Sequence, residues 1–349
     1  MPKQSLTTGE AFDITAIVCT YNRSALLGES LSAIARQQGE GLRYEVIVVD
    51  NNSTDDTREV IEKFAAASHC PMRYLCERQQ GVSYARNAGI AASRAPALAF
   101  FDDDVMVADD WLLQIKQALD AHSDIDYVGG KVLPRWASAP PAWLVAENWA
   151  PIAAQDYGDA PFVLDASTNV GLISANLAIR RRALDEVGWF RPELQRVRDG
   201  IGSMEDHELL ERLARAGKRG LYAPQIVVRA DVPVARMTRG YHRRWHRGHG
   251  KFYAISRSAS FEESAAGRLF DVPAHLYRQA AADATGWLKH ALRRHAARAF
   301  AHQSRLWFFL GFVGERRRQF LEAERRSSAR EIAHFVGLQA RRLFARTSR

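Results

Sequence analysis

Apolar runs and helical stripes alternate along the first hundred residues. Residues 14–19, Ile-Thr-Ala-Ile-Val-Cys, form a nearly unbroken apolar run, the mark of a buried strand. A polar turn over residues 20–24 follows, and Leu26, Leu27, Leu31 and Ile34 then recur at helical spacing. A second apolar run, 44–49, ends at Asp50. Residues 51–56 read as a loop and helix start, with Val60, Ile61 and Phe64 on the face of the next helix. Residues 72–75 read as a short third strand, and Gly81 turns the chain into a helix that runs to Ala92. A fourth strand, 97–101, stops at Asp102, Asp103 and Asp104. This alternation predicts right-handed βαβ units on a parallel sheet. In open sheets of that kind, ligands sit beyond the carboxyl ends of the strands. Thr20, Tyr21, Arg23, Asp50 and the acidic triplet all fall at such ends. The pattern therefore predicts one crevice lined by polar groups distant in sequence.

The remainder is less regular. A short polar stretch leads from the triplet to Trp111, and residues 134–162 form a long segment rich in tryptophan and proline. Loops of that length inside a domain are usually functional, and three tryptophans argue against disorder. Residues 171–190 read as a strand containing Asn176 and then a helix with Leu184 and Val187 on its face, ended by Gly188. Another helix starts near Glu205 and Asp206 and runs through Leu209, Leu210 and Leu213 to Gly217. Residues 221–228 read as a strand, and beyond 236 the pattern is mainly helical.

Charge divides the chain in two. Of the 48 basic and 40 acidic residues, 24 and 8 lie from position 236 onward, a net of +16. The first 235 residues hold 24 and 32, a net of −8. A basic tail on an acidic body suggests an anionic partner, phospholipid or nucleic acid, unless it is simply a solvated helical face. Within residues 286–320, Trp287, Leu292, Phe300, Trp307, Leu310 and Val313 stand among arginines. That suits an amphipathic helix pair on an acidic membrane surface, or one packed on the body of the protein. No window approaches the ~20 apolar residues that span a bilayer, and the first 13 residues lack the apolar stretch of a secretory signal. Cys19, Cys70 and Cys76 show neither metal-ligand nor paired spacing, so reduced thiols in a cytoplasmic protein are expected. With 349 residues, 47% hydrophobic and 25% charged, the chain is long enough for one large domain or two modest ones with a real core.

Three adjacent carboxylates at the end of a buried strand are costly unless cations meet them. A hard divalent cation that also holds a diphosphate fits that need, which points to an enzyme acting on a nucleotide-activated substrate. Five segments then occur in order: Ile17-Val18-Cys19-Thr20-Tyr21-Asn22-Arg23, Val48-Val49-Asp50-Asn51-Asn52-Ser53-Thr54-Asp55, Gly81-Val82-Ser83-Tyr84-Ala85-Arg86-Asn87-Ala88-Gly89, Phe101-Asp102-Asp103-Asp104, and Met204-Glu205-Asp206. Any one is weak. Together, over roughly residues 14–228, they resemble the family 2 glycosyltransferases, the large inverting group with the GT-A fold.

The resemblance implies an α/β, Rossmann-like GT-A domain over residues 1–235, with a mostly parallel sheet flanked by helices. Its nucleotide-binding half would be about 10–105 and its acceptor half about 106–235, followed by a basic, mainly helical region, 236–349. It also implies roles. Thr20, Tyr21 and Arg23 would line the base pocket, and Asp50 would accept a hydrogen bond from the base. Arg86 would hold the nucleotide or its diphosphate, unless it is an ordinary helix-surface arginine. Asp102 would bind ribose, and Asp104, with Asp103 as the alternative, would ligate Mg²⁺ or Mn²⁺. Asp206, in the first turn of a helix, would be the catalytic base, unless it only caps that helix. Glu205, Asn176 and Trp245 are candidates for contact with acceptor or donor sugar. The tryptophans of 134–162 either stack on an acceptor sugar or pack the insert on the sheet.

Two departures from the family pattern matter. Many relatives carry a histidine after the strand equivalent to 225–229, where this chain has Ala230, Asp231 and Val232. His242, His246 or His249 would have to substitute, or no third protein ligand exists. Second, Arg244 and Trp245 echo only the end of the Gln-x-x-Arg-Trp motif of processive members. A non-processive enzyme is therefore expected, using a nucleotide-diphosphate sugar, UDP-linked by preference. Its acceptor would be a glycan or a lipid-linked sugar of cell-surface polysaccharide synthesis, met in the cytoplasm or on the inner face of the plasma membrane. A sugar nucleotidyltransferase would need a Gly-rich phosphate loop where residues 20–23 stand. A nucleic-acid-binding protein would leave the triplet unexplained, since it repels phosphate. A nucleotide-sugar sensor without catalysis would not need all the carboxylates intact.

Overall fold

The computed structural model describes residues 12–168, 170–195, 201, 204–257 and 267–346, with side chains to residue 325. The first eleven residues, read above for a signal sequence, lie outside them. The chain divides into two compact units, residues 1–245 and 246–349.

In the first unit the expected alternation is present. It runs β1 (Ile14–Thr20), α1 (Ser24–Ala35), β2 (Tyr44–Asp50), α2 (Thr57–Ala67), β3 (Met72–Cys76), α3 (Val82–Ala92) and β4 (Ala97–Asp102). Strands β1, β2, β3 and β4 pair in parallel. Successive side chains of a strand point to opposite faces, and the core follows that parity. Ala16, Val18, Val46 and Val48 join a cluster with Leu27 and Leu31 of α1 and Ile61 of α2. Ile17, Ile47 and Val49 join the other cluster, with Ala85 and Ile90 of α3. Strands buried on both faces need apolar residues at every position, which is why they read as runs.

The second half of the sheet adds β5 (Val105–Val107), α4 (Trp111–Ala121), β6 (Tyr127–Trp136), β7 (Phe162–Leu164), β8 (Leu177–Arg180), α5 (Arg181–Val187), α6 (Glu205–Arg215) and β9 (Gly220–Val232). The order is β3-β2-β1-β4-β8-β6-β9-β5, with β7 on β9. Strand β8 is antiparallel to β4 and β6, and β5 and β7 are antiparallel to β9, whereas β6 and β9 are parallel. The sheet is thus mostly parallel, as expected.

Three local expectations differ. The polar stretch after the triplet contains β5, whose Val105 and Val107 are buried against β9. Asn176 sits in a 3-10 turn, Ser174–Asn176, before β8. Strand β9 runs past 228 to Val232, because Val228, Ala230 and Val232 continue its buried side. The irregular part of the insert begins only after Trp136. It is tied to β6 by backbone hydrogen bonds between Val132 and Gln155, 2.8 Å each way.

The second unit contains an apolar cluster of Ala254, Val272, Leu276 and Phe312. Two helices, Ala274–Leu292 and Ala296–Arg346, pack on each other and are pinned by Asp283, which accepts hydrogen bonds from His302 and Arg305. Among the described residues, no helix is long and apolar enough to cross a membrane.

Candidate functional site

Sheet register assembles the crevice. Thr20 lies opposite Asp50, and Cys19 opposite Asp102, so the carboxyl ends of β1, β2 and β4 meet in one row. The loops that leave these ends are stitched together. Asn22, in the left-handed region at φ 51°, accepts a 2.7 Å hydrogen bond from the Thr54 amide, and its own amide donates to Ser53 Oγ at 2.9 Å. Asn51 holds the next loop, donating to the carbonyls of Glu77 and Gln79 and accepting from the Gly81 amide. Gly81 has φ 140°, and a Cβ there would lie 2.3 Å from the Gln195 side chain. Gln195 in turn accepts from the Ser83 amide at 2.7 Å, at the start of α3. The helix that carries Arg86 is therefore fixed at its first turn.

Asp50 is buried, with Oδ1 on the Ser53 amide at 2.8 Å and Oδ2 on the Tyr74 hydroxyl at 3.0 Å. Burial and the Asp50 carboxylate push the Tyr74 phenol up, so it stays protonated and donates. Tyr21 follows Thr20 at the end of β1 and is 41% exposed.

Each carboxylate of the triplet meets a guanidinium. Arg86 Nη2 is 3.5 Å from Asp102, Arg23 Nη1 is 2.7 Å from Asp103 and 3.1 Å from Asp104, and Arg236 Nη2 is 3.3 Å from Asp104. Arg23 is thus bonded to the triplet. Burial opposes the Arg23 charge, but Asp103 and Asp104 outweigh it and hold the group charged. Asp103 is the most enclosed of the three: burial pushes its carboxyl up to about 6 against the pull of Arg23. Its position suits a brace for Arg23 better than a ligand open to the crevice. The Cys19 thiol beside this row is pushed up to about 12 by burial, which makes it a poor nucleophile.

Arg86 links the triplet to the second half of the domain. It is buried over the Phe190 ring, 5.2 Å from its centroid, and bonds Glu205 at 3.2 Å and Asp206 at 3.1 Å. It is no helix-surface residue. Burial works against its charge, and Asp206, Glu205 and Asp102 overcome that effect. Asp206 is further held by Ser174, whose amide and hydroxyl donate to Oδ2 at 3.1 and 2.9 Å. Asp206 keeps partial exposure, whereas Glu205 is buried.

Other candidates lie elsewhere. Asn176 is fully buried: its amide nitrogen bonds the carbonyls of Lys131 and Ile226 at 2.9 Å, and its oxygen accepts from the Trp111 indole at 2.8 Å. It braces β6, β9 and α4 instead of facing a sugar. Trp245 is half-buried on the helix Arg239–Ser256. Trp143 of the insert is buried edge-on against His242 at 4.9 Å, while Trp136 and Trp149 are half-buried and meet edge to face at 6.1 Å. His242 does not stand in for the missing ligand. Its ring bonds the Arg236 carbonyl at 3.0 Å, and burial pushes it down to about 4.

Sequence reasoning missed Tyr74, Ser174 and Gln195, and placed Arg236 only at the head of the basic tail. Ser174 lies two residues from Asn176, and Arg236 opens the basic run; only the fold reveals which carboxylates they meet. Among the described residues, no three His, Cys, Asp or Glu side chains gather about one point that would hold a metal ion. Arg86 faces the carboxylates of Asp102, Glu205 and Asp206, whereas Arg23 faces those of Asp103 and Asp104 and Arg236 shares Asp104. Asp104, at this crevice, supplies carboxylate oxygens of the hard kind that a divalent cation takes.

Comparison with known proteins agrees with this geometry. Residues 15–188 match the family model described as Glycosyl transferase family 2. Glycosyltransferase AglE of Haloferax volcanii is 34% identical over 119 residues, 34% of this chain and 39% of that protein. The glucosyl-dolichyl phosphate glucuronosyltransferase of the same organism is 25% identical over 221 residues, covering 61% of this chain and 67% of the other. The chain thus matches well under half the length of the first relative and about two thirds of the second. Among solved structures, the mannosyltransferase PcManGT from Pyrobaculum calidifontis, in complex with GDP-Man and Mn²⁺, shares the fold with a TM-score of 0.55. It is 22% identical, and the match covers 90% of this chain and 88% of that one. The ordered motifs, the mixed sheet and the family match place this chain in glycosyl transferase family 2, as an enzyme with a GT-A fold.

Proposed function

We propose that the enzyme is an inverting, metal-dependent, non-processive transferase that moves a sugar from a nucleoside-diphosphate donor, UDP-linked by preference, to a hydroxyl of a glycan or lipid-linked acceptor. The observation that carries this reading is the Arg86 hub, which bonds Asp102 at the strand end and Asp206 at the start of α6. One side of the hub then faces the donor and the other the acceptor. Tyr21 stacks on the base, Asp50 accepts from its edge, and Asp102 takes ribose hydroxyls. Asp104 would hold Mg²⁺ or Mn²⁺, a Lewis acid that would stabilise charge on the departing diphosphate. The acceptor oxygen attacks the anomeric carbon opposite the diphosphate. The C–O bond to the diphosphate breaks, and the hydroxyl proton passes to Asp206. Ser174 and Arg86 fix the base in place, and Glu205 extends the acceptor side.

The second unit supplies a place to meet a lipid-linked acceptor. Trp287, Leu288 and Leu292 are 40%, 55% and 76% exposed beside Lys289, Arg293 and Arg294. That combination suits the surface of an anionic bilayer.

The test is calorimetric binding across a panel of nucleoside-diphosphate sugars with Mn²⁺. One donor is expected to bind, to lose affinity in EDTA, and to bind more weakly to Asp104→Ala. Equal affinity in EDTA sinks the metal assignment, and failure of the whole panel sinks the donor reading.

A further inference from the structure

Arg236 reaches the triplet from a 3-10 turn, Val234–Met237, just after β9. Its base is fixed: its amide donates to the Pro233 carbonyl at 2.9 Å, and its carbonyl bonds the buried His242 ring at 3.0 Å. Its guanidinium touches Asp104 Oδ2 at 3.3 Å, the oxygen that Arg23 also bonds at 3.1 Å. The two arginines are not equally committed. Arg23 has a second and shorter bond, 2.7 Å to buried Asp103, whereas the longer contact to Asp104 is the described side-chain bond of Arg236. Asp104 has only 11% of its side chain exposed. A cation that reaches Oδ2 must therefore push a guanidinium aside, and the less tied one yields.

We propose that Arg236 couples cation and donor binding. It neutralises Asp104 in the donor-free protein, and it moves onto the diphosphate when a divalent cation takes its place on that carboxylate. The exchange conserves local charge. The cation brings two positive charges to the carboxylates, and the diphosphate brings two negative charges within reach of the released guanidinium. A planar, always-charged fork suits phosphate oxygens, and a long side chain on a fixed turn can reach either partner. The cation alone must displace Arg236 with no phosphate to receive it, and the donor alone can win Arg236 only by taking it from Asp104, so each favours the other's binding.

This inference rests on the donor reading above, and the experiment separates the two. Binding of Mn²⁺ alone, and of UDP and GDP in the presence of Mn²⁺, is measured for the wild type, Arg236→Gln and Arg236→Lys. Arg236→Gln is expected to bind Mn²⁺ alone about tenfold more tightly and the preferred nucleotide about tenfold more weakly, the size of one charge-assisted hydrogen bond. Arg236→Lys keeps the charge and is expected to show both shifts at smaller size, which serves if the glutamine variant does not fold. Opposite shifts support the coupling. Loss of both affinities marks a merely structural arginine and overturns it, as does wild-type behaviour of both variants. If the wild type binds neither nucleotide, the donor reading fails and takes this one with it.

Discussion

Asp206→Asn tests the assignment of the base, and the structure shows that the change is not a neutral swap. Three donors surround this carboxylate: Arg86 on Oδ1, and the amide and hydroxyl of Ser174 on Oδ2. Asparagine has one acceptor atom and one NH₂, so one side must set donor against donor. The Ser174 amide cannot turn away, so the oxygen stays on Ser174 and the NH₂ faces Arg86. That loses the 3.1 Å contact, while Arg86 keeps Glu205 at 3.2 Å and Asp102 at 3.5 Å. The loss of one charged hydrogen bond within a network that stays otherwise paired costs about 1.5–3 kcal/mol of stability. The catalytic loss should be larger: removing a general base lowers kcat by about 10²–10⁴-fold. The assays are denaturant unfolding, donor binding by calorimetry, and transfer from the donor that the panel identifies. A folded variant with wild-type donor affinity and about a hundredth of the turnover or less supports the assignment. Turnover within a few-fold of wild type refutes it: Glu205 is buried, and Asp102, the other carboxylate on Arg86, is assigned to the donor.

Three further outcomes follow from the same structure. The unfolded chain should protonate His242 near 6.5, whereas the folded protein holds it neutral down to about 4. Stability is therefore full above 6.5 and lost as pH falls toward 4, by about 2 kcal/mol once solvent screening trims the roughly 3 kcal/mol of the full gap. His242→Gln should flatten that part of the curve in urea titrations; a parallel curve would disprove the linkage. Gly130→Ala places a Cβ 2.1 Å from the Ile226 carbonyl oxygen and 2.4 Å from that of Ala223, at the register shift between β6 and β9. It should destabilise the sheet by about 3 kcal/mol, and an unchanged Tm would contradict the tight approach. Replacing Leu288 and Leu292 together with glutamate should release the full chain from anionic liposomes while leaving its Tm unchanged. If the wild type ignores such liposomes, the membrane surface is excluded.

Legibility in the sequence followed the physics of each segment. Strands β1, β2 and β4 were legible because burial on both faces demands unbroken apolar runs, and their ends gave away Asp50 and the triplet. Strand β5 was hidden because it is three residues long and follows three aspartates. Asn176 was misread for a related reason. A polar residue among apolar ones suggests a ligand contact, yet here the crossing of β6, β9 and α4 leaves backbone carbonyls and an indole that need a two-way amide. Arg86 was singled out by its motif, but its three partners sit 16, 119 and 120 residues away. No local pattern encodes separations of that kind.

The missing histidine is explained by the length of β9. The sequence suggested a strand ending near 229, which put the expected ligand at 230. In the structure Ala230 pairs with Val105 and sits in the apolar cluster with Val105 and Val228, so its side chain faces the core. Asp231, on the other side, is paired with Arg135. A histidine at 230 would be buried among aliphatic groups rather than turned toward Asp104. The strand keeps its pairing to Val232, and the chain first becomes free to turn at Pro233. Whatever meets Asp104 from this element must therefore come from the turn that follows, and there the chain has Arg236 with His242 bonded behind it. The histidine left near this corner supports an arginine, and that arginine meets the carboxylate.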